Sequence, residues 1–298
     1  EKMVFPDGNA EPAGDDAFMV KTAQKMYHEI SPETGEFIDF MIDHELMDLQ
    51  NKPGKASTGY MTSLPSLKAP FVFSCFNHTI FDMQVLTHEL GHAFAGYMAM
   101  RSQPISDYYS ESTDIAEIHS MSMEQFAYPY AEWFFGDQAD KFRFAHLQEA
   151  LTFVPFGVAV DEFQHICYAH PELTPKERTY QWHLLEEKYM PWRRYENDAF
   201  FARGGYWYHK LHIYLYPFYY INYTLTTMGA MEFKKKYAED KAAAWQDYLK
   251  LCKTGGSRSY LETLRYANLA NPFEAGSVAR ACGYAEDILL RQLAEQEK

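Results

Sequence analysis

Apolar positions recur at helical spacing through most of the chain. Phe18, Ala23, Met26 and Tyr27 predict a first helix from Asp15, ended near Ser31-Pro32, and a second is expected from Pro32 to Leu49. Between Asn51 and Asn77 the texture changes, with Gly54, Gly59, Pro65 and Pro70 punctuating short runs. Phe71-Val72-Phe73-Ser74-Cys75-Phe76 reads as a strand bounded by Pro70 and Asn77. From Phe81 onward the pattern is mostly helical, with breaks expected at Pro104, Pro155, Pro171, Pro191 and Gly204-Gly205. No internal repeat or low-complexity linker marks a boundary, so residues 1–298 read as one mainly α domain with a small β element beside its first strong helix.

Composition narrows the partners. Hydrophobic residues make up 47% and charged residues 23%, enough apolar material for a sizeable core. Asp plus Glu number 41 against 27 for Lys plus Arg, and the net charge of -14 repels phosphate backbones and anionic lipid. Neither nucleic acid nor membrane is an expected partner. The uncharged stretch from Leu211 to Met231 holds His212, Pro217 and Asn222, which argues against a bilayer span. Cys75, Cys167, Cys252 and Cys282 form no CxxC pair and are expected as reduced thiols. With no secretory signal at its start, the chain is expected in the cytoplasm. It opens at Glu1 without a Met, as a partial or trimmed sequence would.

Chemistry concentrates at Thr87-His88-Glu89-Leu90-Gly91-His92, an HExxH pattern. On a helix, positions i and i+4 share a face, so His88 and His92 can reach one ion while Glu89 contacts a water on it. Imidazole suits Zn²⁺, a catalytic zinc keeps three protein ligands plus a water, and a neighbouring carboxylate can take that water's proton. His44-Glu45-Leu46-Met47-Asp48 is a near miss, with Asp where the second His would stand. A third ligand should come from another element, and Glu117 on the following predicted helix is the candidate. Its competing role is helix capping, because Asp114 and Glu117 have capping-box spacing and Ser112, Thr113 or Asp114 can begin the helix. Glu124, two turns on, is either an outer partner of a ligand His or a surface carboxylate. His119 reads as structural or as part of the site wall.

A second constellation lies in Trp207 to Tyr223. Tyr216, Tyr220 and Tyr223 fall on one face of a continuous helix, either as plain aromatic packing or as phenols donating to an oxyanion, with His209 or His212 able to do the same. Gly204-Gly205 is either a loop admitting substrate backbone or a turn. Phe71, Val72 and Phe73 form either an ordinary sheet member or a free edge to which an extended peptide adds.

HELGH at 88–92 and IAEIHSMSME at 115–124 resemble the thimet oligopeptidase and oligoendopeptidase F family of zinc peptidases, and within it the Pz-peptidase-like oligoendopeptidases. Val4 to Asn9 and Asn271-Pro272-Phe273 are similar to parts of the same catalytic region. The resemblance implies a zincin-like, neurolysin-like helical fold, one Zn²⁺ on His88, His92 and Glu117, and Glu89 as general base. It assigns transition-state stabilisation to His212, Tyr220 and Tyr223, while Tyr216 fits only the broader family's spacing. It implies an endopeptidase for short oligopeptides, and a chain lacking the family's N-terminal helical region. The rival readings are a zinc carboxypeptidase or dipeptidase, with Arg203 or Lys210 on the terminal carboxylate, and a non-catalytic metal-containing peptide-binding fragment.

Overall fold

The computed structural model describes residues 4–56 and 58–296. Helix α1 (Asp16–Ile30) hands over to α2 (Pro32–Asp43) at a single residue. Ser31 ends the first and caps the second, its Oγ accepting from Thr34 N while its own N–H donates to Thr34 Oγ1, both at 3.1 Å. The second helix stops at Asp43, short of the expected Leu49. Glu45 takes a left-handed φ of 53°, and Met47–Asp48 becomes strand β1.

Strands β2 (Tyr60–Leu64) and β3 (Ala69–Phe73) complete a three-stranded sheet in the order β1-β3-β2. β1 runs parallel to β3 with Met47 opposite Val72, and β2 runs antiparallel with Met61 opposite Val72. The strand expected from Phe71-Val72-Phe73 is therefore the middle one. Its continuous apolar run suits a strand covered on both faces, whereas β2 alternates between exposed and half-buried positions.

The helices that follow are α3 (Ile80–Ser102), α4 (Thr113–Ala127), α5 (Ala131–Phe135), α6 (Ala139–Ala169), α7 (Pro175–Tyr189) and α8 (Ala199–Ala202). After them come α9 (Leu211–Leu215), α10 (Ile221–Glu239), α11 (Lys241–Thr254), α12 (Tyr260–Tyr266) and α13 (Ser277–Gln296). Breaks fall before Pro104, Pro171 and Pro191 as expected. Pro155 does not interrupt α6, where buried Val154 and Phe156 flank it and tertiary packing outweighs the lost hydrogen bond. None of the described helices is long and apolar enough to cross a membrane.

The chain divides into two compact units, Glu1–Gln148 with Met228–Lys298, and Glu149–Thr227. Nothing in the pattern of residues marks either boundary, since both fall inside helices, α6 and α10. The core of the first unit is built on aromatic rings: Phe94 lies 5.4 Å from Phe37 and 6.2 Å from Tyr248, and Phe126 meets Tyr248 at 4.9 Å. The second unit packs Phe156, Phe163 and Trp207 around buried Trp182 and nearby rings.

Within the first unit, α3 is fixed at its start and its middle. Thr79 Oγ1 accepts from Phe81 N, and the buried Asp82 carboxylate accepts from Asn77 N at 2.9 Å and His78 N at 2.7 Å, which holds His78 at a left-handed φ of 61°. In the middle, a Cβ on Gly91 would lie 2.7 Å from Ser120 Cα and 3.1 Å from His119 O, both backbone atoms of α4. The missing side chain is what lets α4 lie against α3 here. Gly91→Ala gains helix propensity of about 1 kcal/mol but forces the two backbones apart. The expected net result is a loss of about 1–3 kcal/mol, measured by urea denaturation.

Candidate metal centre

His88 and His92 stand one turn apart on α3 with ring centroids 4.9 Å apart and planes nearly perpendicular. Across from them, α4 supplies Glu117, whose Oε2 lies 3.1 Å from His88 Nε2 and 3.3 Å from His92 Nε2. One ligand atom from each of the three falls within 4.8 Å of the others, an arrangement that can hold a metal ion. Glu117 takes no part in capping. Ser112 occupies the cap position of α4 without a side-chain cap bond, and the Glu117 carboxylate turns to the histidines, where Ser120 Oγ also donates to it at 3.1 Å.

The electrostatics follow from this packing. Burial pushes the Glu117 carboxyl up, but the His88 and His92 imidazoles outweigh it and hold it well below the usual carboxylate range. Burial disfavours a charge on His88, yet Glu117 and Glu124 together push its pKa well above the ordinary histidine value. Glu89 differs from its neighbours. It is buried, stands outside the three-residue group, and burial raises its pKa against the pull of His88 and His92. Gly59, just ahead of β2, passes over it: a Cβ there would lie 3.1 Å from Glu89 Oε1.

Behind His88 stands Glu124, whose Oε1 accepts from Nδ1 at 2.6 Å. Its other oxygen accepts from His146 Nε2 at 2.5 Å. Burial pushes Glu124 up, and the two imidazole donors override it, down to about 2. His119 is fully buried, with Nδ1 3.0 Å from Glu111 Oε1 and its backbone carbonyl accepting from Tyr248 Oη at 2.9 Å, which favours the structural role over one in the site wall. His146 and Glu111 escaped the reading of the sequence. Neither sits at a motif spacing: His146 lies within Phe144-Ala145-His146-Leu147, and Glu111 lies in the polar run Ser110-Glu111-Ser112-Thr113, where a further carboxylate does not stand out.

The second unit gathers His212 with tyrosines. Its ring lies 5.1 Å from Tyr220, 6.1 Å from Tyr223 and 6.2 Å from Tyr219, and Tyr219 Oη donates to Tyr223 Oη at 3.4 Å. His209 faces elsewhere, 4.2 Å from Tyr206. The single helix face expected for Tyr216, Tyr220 and Tyr223 does not form. Pro217 disfavours helical backbone at Tyr216, Phe218 takes a φ of 60°, and the chain turns between α9 and α10 with Tyr216 exposed. Tyr220 is buried, and burial raises its phenol pKa.

Two expected substrate elements are placed differently from the reading. Phe71, Val72 and Phe73 belong to a strand paired on both sides, so its backbone cannot add a peptide; the side of β2 away from β3 has no partner strand among the described residues. Gly204 and Gly205 are buried turn residues. A Cβ on Gly204 would lie 2.2 Å from Thr179 O, and one on Gly205 2.6 Å from Phe200 O, so close packing of the turn is a sufficient reason for both glycines.

Residues 20–282 match the profile of peptidase family M3. A curated relative, an oligoendopeptidase F homolog from Borreliella burgdorferi, is 25% identical over 229 residues, 75% of this chain and 38% of its own. The solved structure of PZ peptidase A with an inhibitor is 49% identical with a TM-score of 0.89, covering 97% of this chain and 51% of that one. A protein from Bacillus anthracis, described as a candidate oligoendopeptidase F, is 43% identical with a TM-score of 0.83, covering 96% and 48%. The chain thus spans about half the length of these solved relatives and shares their mainly α, zincin-like fold.

If the three residues hold an ion, metal should stabilise the folded state by mass action, about 2.7 kcal/mol at a hundredfold excess over Kd. Protein stripped with a chelator should melt higher when Zn²⁺ is restored, and Glu117→Gln should lose most of that rise in a calorimetric scan.

Proposed function

The chain belongs to peptidase family M3, and from that premise we propose that it is the zinc-dependent catalytic part of an oligoendopeptidase, hydrolysing internal bonds of short peptides. The observation that carries the reading is the convergence of His88, His92 and Glu117 with an unligated, buried Glu89 beside them. Two imidazole nitrogens and one carboxylate oxygen are the donor set of a catalytic zinc, which keeps a further position open. A purely structural zinc site is closed by four protein ligands, and only three converge here among the described residues. When bound, the ion supplies Lewis acidity to a water and to the scissile carbonyl.

The rest is work for the chain's own side chains. Glu89 takes the proton of the attacking water and then delivers it to the leaving amine. A carboxyl whose pKa burial has raised is a stronger base than an exposed one, which suits that exchange. Glu124 holds His88 by Nδ1, so that Nε2 is presented to the ion. We assign donation to the developing oxyanion to His212, Tyr220 and Tyr223, on the family resemblance and on their gathering into one cluster. His212 is preferred over His209 because it alone joins that cluster; Tyr216, displaced into the turn, contributes less.

Substrate backbone is assigned to β2 rather than to β3. An extended peptide adding to Tyr60–Leu64 would pair through main-chain groups, tolerate varied side chains, and run onward past Gly59 and Glu89. The relatives' greater length supports a further segment as partner, one that restricts access to short peptides. The four cysteines are free, in keeping with a cytoplasmic site of action.

Cleavage of an internally quenched, end-blocked peptide, with zinc content determined in parallel, tests the reading. Wild type should cut internally, and Glu89→Gln should keep its zinc while losing about 10²–10⁴-fold in kcat. Zinc in both without turnover would leave a peptide-binding fragment, and cleavage confined to peptides with free ends would favour the carboxypeptidase or dipeptidase. Gly59→Ala, which crowds the Glu89 carboxylate, should lower kcat severalfold with zinc content unchanged, read from the same assay.

A further inference from the structure

Glu124 is held from two sides. His88 Nδ1 donates to Oε1 at 2.6 Å and His146 Nε2 donates to Oε2 at 2.5 Å, so both carboxylate oxygens are occupied by imidazole N–H groups. His146 comes from α6, on the far side of Glu124 from the metal ligands in sequence and in contact. Its side chain is 5% exposed, its ring stacks on Phe142 at 5.5 Å with planes 9° apart, and Tyr128 lies 6.1 Å away.

The protons can be placed from the partners alone. An ionised carboxylate only accepts, so the proton of each contact sits on the imidazole nitrogen facing it. His88 then carries hydrogen on Nδ1, and Nε2, 3.1 Å from Glu117 Oε2, is the nitrogen left to face the ion position. His146 carries hydrogen on Nε2, while its Nδ1 is buried without a hydrogen-bond partner. That orphaned nitrogen is informative. A phenylalanine would stack on Phe142 equally well and bury no unsatisfied nitrogen, so packing gives no reason for an imidazole here. The bond to Glu124 does.

We propose that His146 is a positioning residue for the metal centre: by occupying the second oxygen of Glu124 it fixes the carboxylate's rotation, and through it the tautomer and ring plane of His88. Without that bond a buried, charged oxygen is left unpaired, and Glu124 is free to turn from His88 toward any other donor. The consequence falls on zinc affinity rather than on any chemical step. The inference rests on the zinc reading of His88, His92 and Glu117.

Zinc dissociation constants of the full chain, measured by chelator competition, test it with two complementary variants. His146→Phe keeps a ring against Phe142 and removes the donor; His146→Gln removes the ring and keeps an N–H. The first should weaken zinc binding about tenfold, the second much less, and the visible spectrum of the Co²⁺-substituted Phe variant should shift. His146→Phe combined with Glu124→Gln should bind no more weakly than Glu124→Gln alone, because both act through one carboxylate. Equal zinc affinity of wild type and a folded His146→Phe overturns the proposal, as does an equal loss in the Gln variant. If His146→Phe does not fold, the ring-nitrogen correlations of zinc-loaded wild type decide. A proton on His146 Nε2, shifted downfield by a strong hydrogen bond, supports the proposal, and a proton on Nδ1 alone overturns it. Failure of wild type to bind zinc at all would instead sink the reading underneath.

Discussion

The close approach of α3 and α4 at Gly91 is the constraint on which the candidate metal centre depends. A histidine pair on one helix gives two ligands, and a third must arrive from a neighbour at the same height. Here the neighbour arrives backbone to backbone, with Ser120 Cα and His119 O where a Cβ of residue 91 would lie. At that separation Glu117 reaches both imidazoles, and two turns further along the same helix Glu124 reaches the back of His88. One small residue between two histidines thus sets the positions of two carboxylates.

Burial of so much charge in one place needs its own balance. Glu111, Glu117 and Glu124 are held low against the cost of burial, and in each case the offset is imidazole: His119 for the first, His88 and His92 for the second, His146 and His88 for the third. In a chain of net charge -14, no lysine or arginine among the described residues pairs with these three carboxylates. Histidine suits the task because it can give up its proton when a metal takes over as the cation, whereas a lysine would compete with the ion. Glu89 has no such dedicated partner, and it is the buried carboxyl of this group whose pKa rises.

Much of this was legible in the residues. HExxH spacing locates the α3 pair, the resemblance at 115–124 points to Glu117, and helical spacing leaves Glu124 open between a partner of a ligand His and a surface carboxylate; in the structure Glu117 lies against both histidines and Glu124 against His88. What escaped the reading came from contacts distant in sequence. His146 lies in a long helix with no motif around it, and only the folded chain shows that α6 turns it toward Glu124. Phe71-Val72-Phe73 is open between an ordinary sheet member and a free edge, and the sequence holds the deciding signal: a continuous Pro-Phe-Val-Phe run describes a middle strand, and the alternating Tyr60–Leu64 an edge. The tyrosine segment failed as a helix because Pro217 governs the backbone before it, and a spacing argument carries no weight across such a point. The division into two units was invisible because its boundaries fall within continuous helices.

A contact between two backbones also differs in kind from one between side chains, because it has no rotamers through which to relax. The distance between α3 and α4 is therefore a fixed gauge, set before any ion arrives. On the proposed reading, a change of ion radius would be met less by a change in helix spacing than by the side-chain torsions of His88, His92 and Glu117. Discrimination among divalent metals would then become a question about the range of motion of three side chains on two fixed helices.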